Sequence, residues 1–181
     1  MMINGYTIAT CRALVPDKPL WFLSQAVDLG YGARFKLPRP TRPTPAEVHA
    51  MAFYSLVCSI NGYALYANYI NARDFPEHWS TALDIANRVR QIAGPLNSGR
   101  DVRTARLIRS PLAGAVFFRE LVLDGQHTLI AVNMSAATVP ASWEFRQPVR
   151  AAVLFEDRLM NEARKSVRDV FKPWAVHIYQ W

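Results

Sequence analysis

The chain has 181 residues, of which 51% are hydrophobic and 19% charged, with a formal net charge of +7. A chain of this length buries about 70% of its unfolded surface without disulfide or metal staples, and the composition excludes intrinsic disorder, which needs few apolar and many charged residues. The basic excess is spread along the chain, +3 over residues 1–99 (9 − 6) and +4 over residues 100–181 (12 − 8), whereas nucleic-acid binders concentrate it in a patch or tail, so a nucleic-acid partner is not expected.

Residues 3–14 are predicted as a helix, with Pro16 and Pro19 bracketing its exit. The opening stretch has no basic leader region and Arg12 interrupts its apolar run, so a secretory signal is not expected and a cytoplasmic location is favoured. Residues 20–23, Leu-Trp-Phe-Leu, have the length and apolarity of a strand buried on both faces. A long connection rich in Gly, Pro and Arg follows over residues 24–45. Thr44 then reads as an N-cap, Pro45 as the first helical residue and Glu47 as the partner completing a capping box. This helix carries Val48, Met51, Ala52, Leu56 and Val57, and Asn61-Gly62 is expected to stop it. Residues 63–67 are a second buried-strand candidate, and residues 77–92 a second amphipathic helix. Strands alternating with helices imply a parallel sheet with crossover connections. Two parallel strands alone would leave two open edges, so this half reads as part of something larger.

Gly and Pro between residues 94 and 99 mark the joint between the halves. Arg100, Arg103, Arg106 and Arg109 recur every third residue. A helical stripe for phosphate is one reading; a solvated strand or loop is favoured, because Ser110-Pro111 ends the segment early. Residues 115–123 and 127–133 are strand-like runs flanking Asp124-Gly125, a hairpin dipeptide. Further strands are expected at 143–146, 149–155 and 175–179, giving four or five antiparallel strands in a small sandwich or open barrel. No window approaches 18 uninterrupted apolar residues, so no membrane-spanning helix is expected. The two cysteines, Cys11 and Cys58, make no disulfide framework, and the four histidines lack metal-ligand spacing. No Gly-rich phosphate loop or nucleophile elbow occurs, and no cofactor is expected.

The segments KPLWFLSQA, PTPAEVHAMAFYSLVCSINGYALYANY and HWSTALDIANRVRQIAGPLNS resemble the last two βα units of a (β/α)8 glycoside hydrolase, in the manner of the family 42 β-galactosidases. The segments HTLIAVNMSAA, AAVLFEDR and DVFKPWAVHIYQW resemble the small β-domain that trails such barrels. The resemblance implies an α/β segment over residues 1–99, with barrel strands seven and eight at 18–24 and 62–69, and an antiparallel β-sandwich over 100–181. Active sites of these barrels lie at the C-terminal strand ends. That implies a carbohydrate-binding mouth near Gln25, Asp28, Arg42, Tyr66, Asn68, Tyr69 and Asp74.

Each of these residues has a plainer reading. Gln25 offers its amide to a sugar hydroxyl or to neighbouring backbone. Asp28 and Asp74 are read first as turn-forming carboxylates, Tyr66 and Tyr69 first as core, and Arg42, with Arg39, first as part of a proline-stiffened solvated loop. The resemblance places the acid/base on strand four, outside this sequence, and the nucleophile at the end of strand seven. There the chain reads Ser24-Gln25 rather than a carboxylate, so a chain that is not catalytically complete alone is expected. Self-association, or pairing with a chain that supplies the missing barrel, follows from the open strand edges. The alternative is a β-domain module that binds carbohydrate or protein without catalysis.

Overall fold

The computed structural model describes residues 2–25, 43–66, 73–109, 112, 114–159 and 163–181. The chain divides into two compact units, Met1–Asn87 and Arg88–Trp181. Most of the predicted 24–45 connection lies outside the described residues.

The first unit runs α1 (Met2–Leu14), β1 (Trp21–Gln25), α2 (Pro45–Val57), β2 (Gly62–Tyr66) and the start of α3 (Pro76–Gln91). The capping box forms as its residue types require: the Glu47 amide donates to Thr44 Oγ1 at 3.3 Å and Glu47 Oε2 accepts from the Thr44 amide at 2.7 Å. Helix α2 ends at Val57, earlier than the expected Asn61-Gly62 stop. Ser59 takes φ 62°, its amide donates to Leu56 O at 3.0 Å and the Ile60 amide to Ser55 O at 3.3 Å. This is a Schellman closure with serine where glycine is usual. Asn61 instead serves the strand entry: its Oδ1 accepts from the Leu20 amide at 2.9 Å and from Arg12 Nη2 at 3.0 Å. The same guanidinium donates to Pro16 O, Lys18 O and Ser59 O, so one side chain ties the end of α1 to the turn before β2.

Strands β1 and β2 are parallel and in register, Trp21 opposite Gly62 through Gln25 opposite Tyr66. The expectation of a strand buried on both faces is corrected. Ser24 is buried and its Oγ lies 3.6 Å from the Met51 sulfur of α2, but Trp21 is 74% and Leu23 59% exposed. Apolar strand residues read identically in sequence whether their second face is covered or awaits a neighbour. Helix α3 behaves similarly: Ile85 is buried, whereas Trp79 and Leu83, one turn apart, are 42% and 49% exposed.

In the second unit, the expected Gly-Pro break at 94–99 is instead a short helix, α4 (Ala93–Ser98). Pro95 sits in its first turn, where no intrahelical N–H bond is needed. Among the described residues nine strands follow: β3 (Arg100–Val102), β4 (Ala105–Arg109), β5 (Val116–Leu123), β6 (Gln126–Asn133), β7 (Val139–Val149), β8 (Ala152–Leu154), β9 (Arg158–Leu159), β10 (Arg164–Phe171) and β11 (Val176–Gln180). They make a three-stranded sheet, β10-β7-β4, and a six-stranded sheet, β3-β5-β6-β11-β8-β9. The strand ladders of both are antiparallel.

The two sheets share one core, in which Trp143, Phe145 and Phe171 from the first meet Leu129, Ala131 and Tyr179 from the second. Trp143 stands edge-on to Phe118 and Tyr179, with centroids 5.1 and 6.1 Å away. The β5–β6 hairpin has the expected turn, with Asp124 at φ 51° and Gly125 at φ 81°. The arginine-rich segment is strand, not helix. Arg106 pairs with Glu144 across β4–β7, and Arg119 of β5 grips Asp101 of β3 through two bonds of 2.7 and 2.9 Å.

Candidate functional site

The parallel ladder brings Gln25 and Tyr66 together as Cα partners at the C-terminal ends of β1 and β2. Positions 21, 23 and 25 are in phase with 62, 64 and 66; positions 22 and 24 are in phase with 63 and 65. The second set is the covered one. Phe22 and Tyr63 stack with centroids 6.3 Å apart, Ser24 faces α2, and burial pushes the Tyr63 phenol up to about 12, so it stays neutral. In the first set Trp21 and Leu23 are exposed, and the Trp21 indole lies over Gly62, where an added Cβ would fall 2.5 Å from the ring. The glycine leaves room for the indole, and the face continues through Leu23 toward the strand ends.

Of the other predicted site residues, Asp28, Arg42, Asn68 and Tyr69 lie outside the described residues. Asp74 occupies a turn and is half exposed, with Oδ1 3.8 Å from Arg73 Nε. The structure therefore joins Gln25 to Tyr66 as ladder partners and places Asp74 in a turn.

Two buried carboxylates in the second unit were not singled out by the sequence. Glu120 on β5 has a fully buried side chain. It accepts from the Thr104 amide at 2.7 Å, the Ala105 amide at 2.8 Å and the Thr104 hydroxyl, and lies 2.8 Å from His127 Nδ1. Burial alone would raise its pKa; these hydrogen bonds outweigh it and hold the carboxyl below its usual range. An ionised Glu120 accepts a hydrogen bond from His127 Nδ1–H and fixes the ring.

Asp169 on β10 accepts from Tyr179 Oη at 2.6 Å, from Arg158 at 3.0 and 2.9 Å and from the Val170 amide at 2.8 Å. His177 Nδ1 lies 3.3 Å from it. Burial again opposes ionisation, but His177, Arg158 and Tyr179 hold this carboxyl far below the ordinary range. In return, burial and the Asp169 charge push the Tyr179 phenol well above its ordinary value. Both carboxylates are saturated with protein donors, an arrangement that locks sheets together. The available signal was a charged residue within an apolar strand run, Glu120 in VFFRELVL and Asp169 in RKSVRDVF. Among the described residues, no group of three or more His, Cys, Asp or Glu could hold a metal ion.

No protein-family model matches this chain, and no curated protein matches it. Solved structures do. An α-amylase from Geobacillus thermoleovorans, solved with acarbose, aligns with TM-score 0.66 and 13% identity over 97% of this chain and 42% of its own. An Anoxybacillus α-amylase aligns with TM-score 0.62 and 14% identity, over 97% and 41%. A GH27 β-L-arabinopyranosidase from Geobacillus stearothermophilus aligns with TM-score 0.53 and 13% identity, over 78% and 31%. The chain shares the fold of the aligned part of these glycoside hydrolases. It spans about two fifths of the amylases, and at these identities the likeness is one of fold alone. None of the three is a family 42 β-galactosidase, the group that the sequence was expected to resemble.

Proposed function

We propose that this chain is the C-terminal part of a glycoside hydrolase-like protein that acts on carbohydrate. Residues 1–99 supply the last two βα units of a (β/α)8 barrel, residues 100–181 the trailing β-domain, and the sequence motifs favour the family 42 branch of that fold. The observation that carries this reading is the two-faced character of the parallel pair β1–β2. One face is covered by α2, while Trp21 and Leu23 stand exposed on the other. In a closed barrel the helices cover the outward face, and side chains from alternate strands fill the inward one. An apolar, uncovered inward face fits a barrel whose remaining strands lie on another segment or another chain.

On this reading Gln25 and Tyr66, with Asp28, Arg42, Asn68, Tyr69 and Asp74, lie around the mouth and contact sugar. Amide, phenol and carboxylate groups match the donors and acceptors of sugar hydroxyls. Hydrolysis needs two carboxyl groups flanking the glycosidic bond, about 5–5.5 Å apart for retention. Gln25 offers an un-ionised amide where the resemblance to the family 42 enzymes would place the nucleophile, so the 181-residue chain binds sugar as part of an assembly and does not cleave it alone.

The test is to purify the chain alone and co-folded with a segment supplying six βα units from an amylase neighbour, and to measure maltotriose and galactobiose binding and aryl-glycoside turnover. The expected result is no turnover by the chain alone and sugar binding by the complemented form that Tyr66→Ala or Gln25→Ala weakens about tenfold. Absence of complementation and of sugar binding would overturn the proposal.

A further inference from the structure

The second unit contains an open cleft of about 520 Å3 between the β5–β6 hairpin and the end of β7. Its size is that of small-ligand sites, roughly 300–1,000 Å3. Its floor is rigid and aromatic. Trp181 extends the β6–β11 ladder: its carbonyl accepts from the His127 amide at 2.9 Å and its amide donates to His127 O at 3.3 Å. The indole stacks on the His127 ring at 5.0 Å and 13°, and Phe145 meets it edge-on at 5.0 Å. His127 is in turn pinned through Nδ1 by the buried Glu120, which Thr104 and Ala105 hold. A wall of the same cleft carries Arg146 and Arg150, both exposed. Among the described residues neither guanidinium has a carboxylate partner, in contrast to Arg106, Arg119 and Arg158.

A preorganised aromatic floor beside two unpaired guanidinium groups is suited to a ring-bearing anion. The indole takes the apolar face of the ring, and guanidinium forks take a carboxylate through paired charge-assisted bonds. We propose that this cleft binds an acidic saccharide, a uronate residue or short oligouronide, at a site separate from the β1–β2 strand ends. The anionic requirement stands on the arginines and the ring requirement on the fixed indole; the choice of a saccharide rests on the carbohydrate function proposed for the chain.

The experiment is isothermal titration of the full chain with trigalacturonate, with maltotriose as neutral comparator and uridine monophosphate as a ring-bearing phosphate anion that is not a uronate. Arg146→Gln/Arg150→Gln removes both charges at exposed positions, and Trp181→Phe keeps a ring while shrinking the floor; circular dichroism checks that each variant folds. The expected result is saturable trigalacturonate binding, about tenfold weaker in the double arginine variant and weaker in Trp181→Phe, with maltotriose at least about tenfold poorer. Tyr66→Ala should leave it unchanged. Undiminished binding in the folded arginine variant overturns the inference, as does tighter binding of uridine monophosphate. If Tyr66→Ala abolishes uronide binding and the arginine variant does not, the cleft assignment fails and the strand-end reading survives. If uronide binding depends on the arginines while barrel complementation fails, the cleft assignment stands and the partial-barrel reading falls.

Discussion

Replacing Asp169 by Asn tests how the second unit is held together. The Asp169 side chain is 6% exposed and accepts from Tyr179, both Arg158 Nη groups and the Val170 amide. An asparagine keeps the shape but loses the charge, and its NH2 faces donors wherever it replaces Oδ2. Removing one partner of a buried pair costs about 3–5 kcal/mol. Here Arg158 is 42% exposed and can turn to water, which discounts the loss. About 3 kcal/mol is expected at pH 7, on the order of 10–20 °C in midpoint for a domain near 100 residues.

The pH dependence fixes the mechanism. Asp169 titrates lower in the folded state than in the unfolded chain, where a free aspartate titrates near ~3.9. Its stabilisation is therefore complete above that value and is lost as pH falls below it. The difference between wild type and Asp169→Asn, measured by urea unfolding at pH 7, 5 and 3, should be constant down to about pH 5 and shrink toward pH 3. Coupling to Tyr179→Phe in a double-mutant cycle should exceed about 0.5 kcal/mol. A variant within about 0.5 kcal/mol of wild type at pH 7, or a pH-independent difference, would refute the reasoning.

Ser59→Gly should stabilise the chain by up to about 1 kcal/mol, because Ser59 sits at φ 62° and loses a left-handed penalty; urea unfolding reads this. Gly125→Ala should destabilise it by about 1 kcal/mol or more, since Gly125 has φ 81° although open space surrounds it; thermal melting followed by circular dichroism reads that. Trp143→Ala, at the fully buried centre of the two-sheet core, should cost about 3–5 kcal/mol in the same urea assay.

Features set by a few neighbouring residues were legible in the sequence. Thr44, Pro45 and Glu47 define a helix start within one turn, and Asp124-Gly125 defines a hairpin between two apolar runs. Strand β10 was not legible, because Asp169 points inward in its alternation, and the groups that make this tolerable, Arg158, His177 and Tyr179, come from elsewhere in the chain. The short β3 and β4 were masked by their arginines, and the pairs that hold them in place, Arg119 of β5 with Asp101 and Arg106 with Glu144, are fixed only by strand pairing. Gln25 and Tyr66 were legible as strand ends, and the register joins them. The Glu120–His127–Trp181 arrangement draws on β5, β6 and the residue after β11, and no local pattern announces it.

The central claim, that residues 1–99 are an incomplete barrel segment, is tested most directly by sedimentation equilibrium of the 181-residue chain across a concentration series. The open face at Trp21 and Leu23 and the stripe at Trp79 and Leu83 predict a mass that rises with concentration. Leu23→Asp should bring it back toward the monomer. A sharp monomer at high micromolar concentration, with residues 3–98 melting cooperatively, would show that this half completes its own fold and would contradict the account.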